Sequence, residues 1–534
     1  MRLRTTARTA TAAAGIVLAL VLSACGGDAS SSSADVVQND LSGEALDNGS
    51  PAKGGSLKFG TSAPIETIDP IGFLPAGAGT AAFGVFGSLM QFADNEGAVE
   101  PMMAESLETT DSEHWTLKLR PGITFTDGTP FDAEAVVAHW KRFTGETSQA
   151  YQAARAREQL KSYEATDDLT VTITTQGPQY EFPSLLTFGL GMVPSPTAVE
   201  KAGERFGLQP VGAGPFKVDS FEPGGGVALV RNEDYFDSTR PYLDQIDFVT
   251  VPTSQSSAAI KSGDLDIAVV LSASDVESAT LDGLTTLEQG AFGYWYMMLN
   301  HAKPPFDEPE IRKAVIQAID FAGLGSAVFK GSSSQLKAWI PTGNTSYVES
   351  DVFPSEDVAA AKEAVAEYKA AGGRTDFTLH VLASEDYQKA SAILQQMLDD
   401  IGLDMSIKTV DLPTQAMTGA SGDYQAQLRF ASIPVAAGSD MRNRFHSESG
   451  GNQIQSGDPT VDGILDEIVA TPPEERAELW SEFADAMAAW VPFVPLVEQP
   501  AVWILSDRVG GFPGAGGEIT WEQMTHVEEI WTAK

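Results

Sequence analysis

One cysteine in 534 residues, Cys25, rules out any disulfide within the chain, so whatever fold forms must hold together by burial alone. Composition allows it. Apolar residues make up 43% of the chain and aromatic residues 9%, enough for large cores over a length that fits about two to four domains. The cysteine sits at a boundary, in "LVLSACGGDASSSS", where an apolar run stops and a serine tract begins. Upstream lie Arg2, Arg4 and Arg8, no acidic residue, and an apolar stretch from Ala10 to Leu22, the pattern of an export signal. Its uninterrupted apolar part, Gly15 to Leu22, is far shorter than the ~20 residues that span a bilayer, so a permanent transmembrane helix is not expected.

Leu22, Ser23 and Ala24 ahead of Cys25 resemble the bacterial lipobox, whose cysteine receives a diacylglycerol before the signal is removed. That resemblance implies a signal over residues 1–24, lipidation at Cys25 and a cell-membrane location on the extracytoplasmic face. Two acyl chains suffice for stable anchoring. Removal of the signal takes three arginines and no acid, moving the net charge from −39 to −42. Such a surface repels nucleic acid and anionic headgroups, and no nucleic-acid partner is expected.

From Cys25 to about Gly55 the chain is Ser, Asp, Asn, Gly and Ala without periodicity, a disordered tether. Strands and helices then mix. Trp115, Leu117 and Leu119 alternate on one strand face, Asp127 and Gly128 make a turn, and Asp132 caps a helix. Phe131 and Val136 are spaced as its hydrophobic staple, and Val136, Val137, Trp140 and Phe143 form its buried stripe. Further on, Phe377, Leu379 and Val381 alternate; Ala390, Ile393, Leu394, Met397 and Ile401 repeat at helical spacing; then Leu403, Met405 and Ile407 alternate again. This is a strand, helix, strand unit of the α/β kind. "TPPEERAELW" predicts a helix capped by Thr471, with Pro472 in its first turn and Leu479, Phe483 and Met487 inside.

Histidines 114, 139, 301, 380, 446 and 526 are scattered singly, with no HExxH pair, so neither a metal nor another cofactor is expected. No GxSxG elbow and no GxxxxGK[ST] loop occurs. "GAGTAA" nearly fits a dinucleotide fingerprint but follows a proline-broken segment rather than a buried strand.

Longer segments carry a family resemblance. Leu89–Phe143 resembles the signature region of the family 5 extracellular solute-binding proteins, the peptide/nickel-type receptors of ABC importers. "GGSLKFGTSAPIETIDP", "VGAGPFKVDSFEPGGGVALVRNEDYF", "IKSGDLDIAVVL" and "LNHAKPPFDEPEIRKAVIQAID" match further blocks in family order. The resemblance implies an α/β fold, a two-lobed periplasmic-binding-protein-like clamshell of type II with two crossing strands as hinge. The first lobe would be residues 56–288 with an extra subdomain at 91–184, the second 289–496, and 497–534 would return to the first. Expected partners are a small-molecule or peptide ligand, ABC permease subunits and, through the lipid, the membrane; the chain would act as a monomer without chemistry of its own. A surface hydrolase, or a signalling or chaperone-like receptor on the same fold, are the alternatives.

Alternation in "AFGYWYMMLN" puts Tyr294, Tyr296 and Met298 on one strand face. The resemblance places Tyr296 and Met298 beside ligand, and Arg429, Phe430 and Ser432 nearby on a later strand. Some relatives carry Trp-x-x-Asp there, its aspartate clamping a ligand amine. An ungapped count finds Ala431, Ser432, Ile433 and Pro434 instead, and Pro64 where other relatives have an acid. The expectation is a cleft poor in acids that suits an uncharged, aromatic or N-blocked ligand, with an acidic group reaching Arg429. One gap would instead bring Asp440 to the clamp position.

Overall fold

The computed structural model describes residues 49–533 apart from 73–74, 94–96, 147, 149, 151, 271, 330–335, 337, 435 and 513–525. The export signal, Cys25 and nearly all of the tether lie outside the described residues. None of the described helices is long and apolar enough to cross a membrane.

One ten-stranded sheet runs through the molecule in the order Asp404–Thr409, Asp376–Val381, Ala426–Ala431, Thr285–Leu299, Phe493–Leu505, Ile267–Val270, Ser56–Thr61, Gln245–Thr250, Gly226–Arg231, Phe216–Glu222. At its centre the two longest strands pair antiparallel, from Thr285 opposite Leu505 to Met298 opposite Phe493. Their ladder is irregular. Pairing steps from Gln289–Ala501 to Gly293–Gln499, so three residues on one strand face Pro500, which has no N–H to donate. Gly293 is required there, because a Cβ would lie 2.3 Å from the Ala431 carbonyl oxygen and 2.4 Å from the Phe430 ring.

Apolar side chains gather into two large cores on either side of this crossing. One draws on residues from Leu57 to Leu287 and from Trp503 to Ile530; the other runs from Tyr294 to Val497. Phe430 packs against both. Strand Ile267–Val270 is buried on both faces: Ile267 and Val269 enter the first core, Ala268 and Val270 a smaller third one with Ile260 and Ile504.

A separate four-stranded sheet, in the order Ala104–Thr109, His114–Leu119, Thr170–Thr175, Leu160–Asp167, lies within the first core's territory. Trp115, Leu117 and Leu119 are buried as the alternation requires. Helix Ala133–Phe143 begins where predicted: Asp132 Oδ1 accepts from the Ala135 N–H at 2.9 Å, and Val136, Trp140 and Phe143 are buried. Its Arg142 grips Asp69 with both guanidinium nitrogens, Nη1 at 2.7 Å, tying the Asp69-Pro70 turn to the helix. Strands Asp376–Val381 and Asp404–Thr409 pair parallel across helix Glu385–Asp400, the unit read from their periodicity.

The helix expected at Thr471 starts later. Helix Pro459–Ala470 runs up to Thr471, a 3-10 turn covers Pro473–Glu475, and helix Ala477–Trp490 follows. Arg476 precedes it and sends Nε to the Thr471 carbonyl at 2.8 Å, and Thr471 does not cap it. The shift puts Trp480 rather than Leu479 fully inside, with Phe483 and Met487.

Candidate functional site

Strand Thr285–Leu299 sits between Ala426–Ala431 and Phe493–Leu505, and register decides which side chains meet. Tyr294 lies opposite Ala431, Tyr296 opposite Arg429 and Met298 opposite Gln427. Directly paired residues share a face, so Tyr294, Tyr296 and Met298 lie together as the alternation predicted, and strand pairing adds Arg429 to them. The face is well covered. Phe493 stacks on Tyr294 at 5.9 Å and meets Tyr296 edge-on at 5.3 Å. Burial pushes the Tyr294 phenol well above the ordinary range, with Asp440 and Tyr296 adding to the rise and Arg444 opposing it.

Arg429 is only partly buried. Its Nη1 donates to Gln453 Oε1 at 2.5 Å and to Met298 Sδ at 3.5 Å. Gln453 is held in turn, its carbonyl oxygen accepting from the Tyr424 hydroxyl at 2.5 Å. No carboxylate among the described residues pairs with Arg429. A guanidinium with a neutral amide and a thioether for partners keeps donors to offer an anion.

The opposite strand face carries Trp295 and Phe430, so Phe430, expected beside ligand with Arg429, does not share the face of Arg429, Tyr296 and Met298. Trp295 Nε1 donates to Gln499 Oε1 at 2.5 Å, and its ring lies 4.1 Å from that of Tyr387. Ser432 is buried, and its carbonyl accepts from Arg444 Nη2 at 3.3 Å.

Two buried acids lie beside the face expected to be poor in them. Asp440 and Glu498 are both about 6% exposed. Asp440 Oδ2 accepts from Arg444 Nε at 2.6 Å; Glu498, opposite Tyr294, accepts from the Thr342 N–H at 2.5 Å and its hydroxyl at 3.0 Å. The ungapped count inspected only positions 64 and 431–434, whereas Asp440 arrives on the first turn of helix Ala437–Phe445 and Glu498 by strand pairing. Alternation along the Phe493–Leu505 strand was the signal that could have found Glu498. Pro64 is exposed.

The histidines are mostly built into the fold. His139 and His301 point Nε2 at the carbonyls of Gly189 and Pro492, and burial pulls their pKa values down to about 4 and about 3. His526, Glu528 and Glu529 form the one group of three potential metal-ligating residues found among the described residues, with ligand atoms within 4.8 Å of one another. Glu529 is already paired with Arg240. Sequence spacing hid this cluster because two of its members are carboxylates.

A model of the bacterial extracellular solute-binding proteins, family 5, middle region, matches residues 98–453. The glutathione-binding protein GsiB of Escherichia coli strain K12 is 26% identical over 439 residues, covering 78% of this chain and 84% of that protein. Among solved structures, the ABC transporter-associated periplasmic binding protein DppA from Helicobacter pylori, in complex with the peptide STSA, superposes with a TM-score of 0.80 at 21% identity. That match covers 90% of this chain and 99% of the other. The binding protein AgaA from A. tumefacien, in complex with agropinic acid, gives 0.79 at 23% identity over 90% and 99%. These likenesses show the two-lobed periplasmic binding fold.

Proposed function

Because the chain belongs to the bacterial extracellular solute-binding proteins of family 5, we propose that it captures a small acidic organic solute, a short or modified peptide first among them, between its lobes and delivers it to an ABC permease. Residues 56–288 with the return 497–534 form one lobe in this reading, with 91–184 as its extra subdomain, and 289–496 form the other. Phe430, which packs against both cores, marks where they meet. Arg429 carries the reading: it is a partly exposed cation whose neighbours are an amide, a thioether and the Tyr296 strand, with no acid among the described residues paired to it. Tyr294, Tyr296 and Met298, on the same strand face as Arg429, supply an apolar and aromatic surround, and a largely apolar site with few oriented polar groups suits a molecule of this size. Glutathione, bound by GsiB, is a peptide with two carboxylates and fits such a site.

Thermal unfolding with glutathione, free and N-acetylated di- and tripeptides, and their C-amidated forms tests the class. A solute at a hundredfold excess over its Kd stabilises the folded state by about 2.7 kcal/mol, so a true ligand raises the melting temperature clearly. Carboxylate-bearing members should shift it, and Arg429→Gln should abolish the shift. Equal stabilisation by amidated and free-acid forms would show that the acidic group is not what is recognised.

The same proposal includes the anchor at Cys25, supported by the apolar run and lipobox-like residues ahead of it. Cys25→Ala removes the only thiol available for acylation and should release the protein into the medium. Retention on membranes through a high-salt wash would contradict lipidation.

A further inference from the structure

The two cores also touch through a buried carboxylate. Glu181, about 9% exposed, lies beside Phe182 of the first core, yet every hydrogen-bond partner of its carboxylate comes from the other side. Its oxygens accept from the Gly438 N–H at 3.1 Å and from the Ser439 N–H and hydroxyl, both at 2.7 Å. These donors form the first turn of helix Ala437–Phe445, whose unsatisfied N–H groups and positive dipole end favour an anion. Arg476, itself buried, adds an ion pair. Burial alone opposes ionisation of Glu181, but Arg476, the two Ser439 donors and Arg155 outweigh it and hold the pKa below the usual carboxylate range. Nearby contacts are lighter. Glu158, about a quarter exposed, accepts from the Ser449 hydroxyl at 2.8 Å and lies 3.6 Å from Arg442, and the Tyr180 N–H reaches the Val469 carbonyl at 3.3 Å.

We propose that Glu181 is a latch for the closed arrangement: a positioning residue that touches no solute but sets how much of the protein has its lobes together. The chemistry makes it all-or-none. Apart, the carboxylate and Arg476 are hydrated and the helix end is open to water. Together, the buried carboxylate has its full set of donors only if Gly438, Ser439 and Arg476 are all in place, so losing one member weakens the hold of the rest. A surface pair such as Glu158 with Arg442 lacks that property and contributes little. The proposal rests on the two-lobed receptor reading but not on which solute is bound.

Spin labels on cysteines introduced at exposed Glu164 and Glu478, in full-length protein carrying Cys25→Ser, report the distance across the contact without any solute. The parent should show a short-distance population. Glu181→Gln keeps the shape and loses the charge, and should lower the closed-to-open ratio by about tenfold or more. Ser439→Ala, which deletes one donor, should lower it by less and serves as the test if Glu181→Gln does not fold. Glu158→Gln should leave the distribution unchanged. The latch is overturned if the parent has no short-distance population, if neither Glu181→Gln nor Ser439→Ala shifts it, or if Glu158→Gln shifts it as far as they do.

Discussion

Arg312→Met should lower the free energy of unfolding by on the order of 3–5 kcal/mol, because it strips the partners from a buried helix end. Arg312 is about 4% exposed and pairs with no carboxylate in the described structure. Its guanidinium donates to the carbonyls of Phe306 at 2.9 Å, Trp490 at 2.9 Å and Val491 at 3.1 Å. Two of these belong to the close of helix Ala477–Trp490, where Val491 takes a left-handed φ of 50° and the last carbonyls have no helical partner. The positive charge also complements the negative end of the helix dipole. Burial lowers the Arg312 pKa to about 10, which leaves it charged at neutral pH. Methionine fills the space and leaves three acceptors dry. Lysine should recover only part of the loss, since one ammonium cannot reproduce the planar fork. Urea unfolding measures this; a decrease below about 1 kcal/mol would show the carbonyls finding other donors.

Phe493→Ala should cost a similar amount, about 3–5 kcal/mol, by emptying the space between four aromatic rings. Phe493 is about 1% exposed and contacts Tyr294, Tyr296, Trp339 at 5.1 Å and Phe445 at 5.4 Å. Its loss has a second consequence. Tyr294 and Tyr296 would lose the surface that fixes their rotamers, so solute affinity should fall even under conditions where the variant remains folded. Phe493→Leu, which fills most of the volume, should retain most of both properties. An unfolding midpoint within error of the parent for Phe493→Ala would mean that the rings collapse onto the cavity and restore the packing.

The sequence announced faces more readily than partners. Asp132 as a cap, the alternation of Trp115, Leu117 and Leu119, and the shared face of Tyr294, Tyr296 and Met298 all follow from the local periods of helix and strand. Pairing Tyr296 with Arg429 is different. It joins residues more than a hundred positions apart, and periodicity carries no information about which strand lies alongside. Glu181 is more opaque still: its ligands are 257, 258 and 295 residues away and include backbone N–H groups, which no side-chain pattern can signal. The delayed helix start after Thr471 has the same origin. The capping residues were present, but Arg476 is drawn to Glu181 and to the Thr471 carbonyl, and tertiary pairing overrode the local preference.

Among the described residues, two segments of backbone cross between the two large cores, and they are neighbours in one sheet, hydrogen-bonded to each other along most of their length. A loop hinge would let the halves translate, tilt and twist independently; a ribbon of two paired strands resists stretching and shear and yields mainly by coiling about its own axis. The irregular steps at Gln289–Gly293 and at Trp295–Tyr296 localise that compliance where the ladder is already interrupted. Motion between the halves therefore reduces to nearly one angular coordinate. A single well-chosen distance suffices to follow it, and because the two strands are hydrogen-bonded to each other, bringing the halves together need not freeze a flexible connector.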